Sequence, residues 1–85
     1  MKPPLSDPLA LLENIDWLIS NGGEITLGAF GPVKCAAIAN DESNCLAMLQ
    51  RREGESLYAL LTRLDAAIAR AWDEDEFIDE INPAR

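Results

Sequence analysis

Between residues 56 and 72 the side chains Leu57, Leu60, Leu61, Leu64, Ile68, Ala71 and Trp72 recur at helical intervals, which is the pattern of one continuous apolar face on an α-helix. Ser56 stands where an N-cap is needed, just after the break at Gly54, because its hydroxyl can accept from an otherwise unpaired first-turn N–H. Ala59, Ala66, Ala67 and Ala69 add helix propensity on the flanks and the outer face. A helix with so wide an apolar face has to be covered, and a chain of 85 residues has one small core in which to do it. The cover must come from the segments upstream, so residues 1–85 are read as a single domain.

Asp7-Pro8 reads as an N-cap followed by the N1 proline that helices favour, opening a first helix over about residues 8–20. Leu11, Leu12, Ile15, Leu18 and Ile19 form its stripe, with Leu9 and Trp17 at the margins, and Asn21-Gly22-Gly23 supplies a left-handed stop. Ile25, Leu27 and Ala29 then alternate with Glu24, Thr26, Gly28 and Phe30, a strand pattern. Gly31-Pro32 turns the chain. Residues 33–39 are apolar except for Lys34, as suits a central strand shielded on much of both faces. The polar cluster at 40–44 is a turn, and residues 45–52 form a third strand. Links this short imply an antiparallel meander.

Asp73, Glu74, Asp75 and Glu76 are poorly suited to the C-terminus of the long helix, where the macrodipole is already negative. A break near Asp73 relieves this. Asp73 then caps a short second helix with Glu76 as its capping-box partner, Phe77, Ile78 and Ile81 as its apolar side, and Asn82-Pro83 as its stop. The alternative is a helix that runs straight on with those charges in its middle. The expected fold is α+β: helix, three-stranded antiparallel meander, long helix and short acidic C-terminal helix, with the helices on one sheet face.

The chain contains no histidine, which removes the commonest general base and metal ligand. Residues 28–34 hold two glycines and a lysine without the spacing of a phosphate-binding loop, and a hairpin turn is the expected structure. Cys35 and Cys45 fall on adjacent strands and would face each other if the hairpin were centred near Asn40; they are otherwise small packed thiols, and two thiols alone cannot complete a zinc site. No catalytic, cofactor-binding or metal site is therefore read, and an enzyme is not expected. Apolar runs fall far short of the about 20 residues of a membrane span, and the start Met1-Lys2-Pro3-Pro4 lacks the apolar region of a signal peptide. A cytoplasmic protein without membrane contact is the expectation.

Net charge is −8, and it is unevenly placed. Residues 1–52 hold six acids against four bases, net −2, whereas residues 53–85 hold nine against three, net −6. Such a field disfavours direct nucleic-acid contact and attracts basic protein surfaces, including the nucleic-acid channels of other proteins. Asp73, Glu74, Asp75, Glu76, Asp79 and Glu80, with Phe77 among them, are the candidate partner-binding residues; a solvated face is the plainer reading of the same run. Arg51-Arg52 reads as an edge-strand guard. Open edges at the strand beginning with Glu24 or at the one ending in Arg51-Arg52 allow a homodimer.

In size, charge and lack of catalytic motifs the chain resembles the small acidic inhibitors carried by phages and mobile elements, anti-CRISPR proteins among them. That resemblance implies a non-enzymatic interaction protein that occupies a basic surface of a partner. Strands followed by a helix beginning Gly54-Glu55-Ser56-Leu57 are also similar to the HicB-type antitoxin fold, which implies a regulatory module. The HicB family has a longer sheet and often an attached DNA-binding segment, and neither is evident in these 85 residues.

Overall fold

Alternating and apolar segments of residues 24–50 become a meander in the computed structural model, which describes residues 12–82. The elements are α1 (Glu13–Ser20), β1 (Glu24–Phe30), β2 (Val33–Asn40), β3 (Cys45–Gln50), α2 (Leu57–Glu74) and β4 (Ile78–Asp79). Sheet order is β1-β2-β3-β4. The first three strands are antiparallel, and β4 lies parallel to β3, with Ala47 opposite Ile78 and Met48 opposite Asp79. Among the described residues the fold is thus α+β, with two helices and a four-stranded mixed sheet in which the expected three antiparallel strands are joined by a fourth, parallel one.

Burial on β2 explains its central position. Ala36, Ala37, Ile38 and Ala39 are all buried, as an almost unbroken apolar run requires when both faces of a strand are covered. On one face Ala37, Ala39, Ala47 and Leu49 meet Leu18 of α1 and Leu60, Leu64, Ala67 and Ile68 of α2. The small strand side chains leave room for the leucines of the helix, and the two sets interdigitate. On the other face Val33, Ala36 and Ile38 pack with Met48 and Ile81.

α2 follows the apolar stripe with three shifts, Trp72 at its far end being exposed. Ala67 lies inside, and Leu57 is 44% exposed at the first turn. Ser56 accepts from the Ala59 N–H at 3.0 Å, as an N-cap does. α1 begins at Glu13, so the expected start at Asp7-Pro8 and the stripe positions Leu9 and Leu11 lie outside the described residues. Leu12, with φ −89° and ψ 70°, is not helical. Leu18 is buried, whereas Ile19 is exposed. At the end of α1, Gly23 N–H bonds to the Leu18 carbonyl at 2.8 Å. A Cβ on Gly23 would stand 2.8 Å from the Asn40 carbonyl oxygen and press on the Leu18 side chain, so only glycine lets α1 close onto the sheet here.

The expected break near Asp73 is present two residues later, at Asp75, whereas the short acidic helix is corrected. α2 continues to Glu74, and Asp75 takes the left-handed conformation at φ 55°, ψ 35°, which aspartate tolerates better than most side chains. Beyond it the chain is extended, because pairing with the open edge of β3 satisfies backbone groups that an isolated two-turn helix would leave to water. The Glu80 N–H donates to the Met48 carbonyl at 2.7 Å, and the Gln50 N–H donates to Glu80 Oε1 at 3.0 Å. Ile78 packs on the helix-covered core, while Ile81 packs on the opposite face. β3 is consequently not a sheet edge along its C-terminal half, and a homodimer through the strand ending at Arg51-Arg52 loses its template; β1 keeps one edge.

Candidate functional site

Three segments distant in sequence converge on the end of α2. α1 contributes Glu13, Asn14 and Trp17, the β2–β3 turn contributes Asp41 to Asn44, and the turn after α2 contributes Asp75 to Phe77. The turn is held by its own aspartate: Asp41 Oδ1 accepts from the Ser43 and Asn44 N–H groups at 2.8 and 2.6 Å. α1 is tied to α2 by Asp65, whose two carboxylate oxygens accept from Asn14 Nδ2 at 2.9 Å and from the Ile15 N–H at 2.8 Å.

Three adjoining hollows share Trp72. One of about 480 Å³ is lined by Glu13, Asn14, Trp17 and Trp72. A second reaches Asp41 and Glu42, and a third reaches Asp41, Cys45, Asp75, Glu76 and Phe77. Among the described residues no lysine or arginine lines any of them. The cations of the described residues, Lys34, Arg51, Arg52, Arg63 and Arg70, line two other hollows. Charge is therefore segregated across the molecule. Among the described residues Glu76 alone of these acids has an arginine near it, Arg70 Nε at 3.9 Å, with both side chains about half exposed.

The aromatic side chains on this face are exposed: Trp17 by 57%, Phe77 by 52% and Trp72 by 39%. Trp17 and Trp72 meet edge-to-face with centroids 5.2 Å apart and planes at 76°, a contact that stabilises by about 0.5–1.5 kcal/mol beyond the area it buries. Trp17, expected at the margin of its stripe, and Trp72, expected within the stripe of α2, thus form a solvent-facing pair.

The seven candidate partner-binding residues divide. Asp75, Glu76 and Phe77 line the third hollow, and Asp73 and Glu74 are exposed on the last turn of α2 just before it. Asp79 and Glu80 serve the fold. Asp79 Oδ1 accepts from the Ile81 and Asn82 N–H groups at 2.9 and 3.0 Å, and these bonds to Asn82 and then Ile81 hold its carboxyl below the usual range. Glu80 Oε2 receives Arg63 Nη1 at 2.8 Å and lies 3.8 Å from Arg52 Nη2. Arg63 also binds Glu55 at 2.7 Å. Hydrogen bonding to Arg63 and then to the Arg52 backbone N–H brings the Glu55 carboxyl down to about 2. Rim residues Glu13, Asp41 and Glu42 carry no local motif, and only the fold unites them with Trp72.

Cys35 and Cys45 do not face each other: Cys45 stands opposite Asn40, and the Cys35 carbonyl accepts from the Arg51 N–H at 2.9 Å. They occupy opposite ends of the hairpin, ten residues apart in sequence and roughly 17 Å apart along β2 at about 3.4 Å per residue. Burial pushes the Cys45 thiol up, away from the thiolate. Among the described residues no cluster of three histidine, cysteine, aspartate or glutamate side chains could hold a metal ion, and no helix is long and apolar enough to cross a membrane. Gly31-Pro32 is the turn of the β1–β2 hairpin. Comparison with protein-family models, curated proteins and solved structures gives no match.

Proposed function

We propose that the protein is a non-enzymatic interaction module of the cytoplasm whose acidic face occupies a basic surface of a protein partner, in the manner of the small inhibitors of phages and mobile elements. The observation that carries this reading is the gathering of Glu13, Asp41, Glu42, Asp75 and Glu76 around exposed aromatics, with no cation among the described residues lining the same hollows. Its energetics point the same way. Asp73, Glu74, Asp75 and Glu76 crowd the negative end of α2, whose last turn has no basic residue, so they oppose the helix dipole and cost the isolated protein stability. A cationic partner surface, such as one that binds nucleic acid, would offset that cost. Direct nucleic-acid contact is disfavoured by the same charge.

The antitoxin-like alternative is supported by the β1–β2–β3–α2 order and would be favoured by retention on DNA. The deciding experiment takes the partner recovered by pull-down from lysate and measures its affinity at low and at physiological salt. It does so for the wild type and for a variant with Asp73 and Asp75 as Asn and Glu74 and Glu76 as Gln. Affinity is expected to fall with salt, because exposed charges are screened within about 8 Å at physiological ionic strength, and to fall again on neutralisation. Salt-insensitive binding that survives neutralisation would overturn the reading.

A further inference from the structure

The chain has two tryptophans, one on each helix, and both open into the hollow that Glu13 and Asn14 complete. Holding the helices together does not require their exposure, since Asp65 already joins α2 to α1 through two hydrogen bonds and Leu18 packs into the core beside Leu60 and Leu64. One indole face is taken by the edge of the other ring, and the exposure that remains leaves aromatic surface open to solvent beside a carboxylate.

We infer that this hollow seats one arginine side chain of the protein partner, its guanidinium lying on an indole face and its N–H groups reaching the Glu13 carboxylate. The inference rests on the acidic-face reading and names the site and the ligand group within it. A guanidinium is planar, weakly hydrated and stacks on aromatic faces, whereas an ammonium holds its water more tightly. Its fork of donors suits a carboxylate at the rim. Other occupants fit less well. A second copy related by a two-fold axis would set this face against itself, bringing Glu13, Asp41, Glu42, Asp75 and Glu76 toward the same five acids. Phosphate groups would meet the same repulsion.

Because Trp17 and Trp72 are the only tryptophans, the emission of the full chain, excited where Tyr58 does not absorb, reports on the adjoining hollows that these two rings line. The experiment titrates hexa-arginine and hexa-lysine peptides into the wild type, Trp72→Leu and Glu13→Gln at low salt, with an amide spectrum of each variant to establish that it is folded. Expected are a saturable change in tryptophan emission with hexa-arginine, weaker binding of hexa-lysine, and a loss of roughly 3- to 30-fold in hexa-arginine affinity on Trp72→Leu by calorimetry. Glu13→Gln, an exposed change, should weaken hexa-arginine binding in the same direction. If both peptides bind equally without altering emission, and Trp72→Leu binds as the wild type does, the arginine seat is wrong while the acidic face stands. If neither peptide binds the wild type at low salt, both readings fall. Emission that depends on protein concentration without peptide would assign the hollow to a second copy and overturn the inference.

Discussion

Leu64 projects into the core from the middle of α2 and is 0% exposed, packed in the cluster with Leu18, Leu49, Leu60 and Ile68. Replacing it with alanine removes three carbons, worth about 2.4 kcal/mol at about 0.8 kcal/mol for each buried methylene. The incompletely closed cavity adds to that loss, so about 3–5 kcal/mol is expected. Against a total of about 4–13 kcal/mol for a domain of 85 residues, this one substitution removes a large share of the stability. With a urea slope of about 1 kcal/mol per molar, the low end for small domains, the midpoint should drop by about 3 M or the protein should be unfolded in buffer. Leu61, only partly buried against the same cluster, should lose less. Leu57, 44% exposed, should lose less than about 1 kcal/mol. Urea melts of the three alanine variants followed by circular dichroism order the positions. Equal losses at Leu57 and Leu64 would show that a different face of α2 is buried.

The Glu55 carboxyl, held at about 2 by Arg63 against an ordinary 4.5, contributes stability that is complete above about pH 4.5 and lost as pH falls toward 2. Asp79 acts in the same direction. Thermal melts should therefore show the wild type approaching Glu55→Gln between pH 6 and pH 3, and a gap unchanged over that range would contradict the clamp. Gly23→Ala should destabilise by about 1–3 kcal/mol through its clash with the Asn40 carbonyl oxygen and Leu18, measurable as a fall in urea midpoint. Asp75→Asn keeps a side chain suited to the left-handed cap and removes a charge from the negative end of α2. A gain of about 0.3–1 kcal/mol in stability, accompanied by weaker binding of a basic peptide, is expected, and parallel melts and titrations test both.

How legible each element was depends on how local its cause is. The cap at Ser56, the stripe from Leu60 to Ile68 and the turns at Gly22-Gly23 and Gly31-Pro32 arise from residues within a few positions of one another, and each lies where periodicity and turn chemistry place it. β4 depends instead on a partner 31 positions away, since Ile78 pairs with Ala47. Phe77, Ile78 and Ile81 suit a helix and a short strand equally, and the free edge of β3 decides between them. The relation between Cys35 and Cys45 failed for a related reason. The hairpin is centred near residue 43 and not near Asn40, since Ala36 pairs with Gln50 and Ala39 with Ala47, so Cys45 falls beside Asn40 while Cys35 lies across from Arg51. In the candidate site, Asp75, Glu76 and Phe77 form a run visible in sequence, whereas Glu13, Trp17, Asp41 and Glu42 join them only through the packing of α1 and the β2–β3 turn around Trp72.

Amide chemical-shift mapping during titration with an arginine-rich peptide, at low and at physiological salt, tests most directly whether a basic partner meets the face around Trp72. Shifts are expected at Glu13, Asn14 and Trp17, at Asp41 to Asn44, and from Trp72 to Phe77, shrinking as salt rises. Shifts that centre instead on the free edge of β1, or on Glu55 and Glu80 with the arginines they hold, would contradict the account.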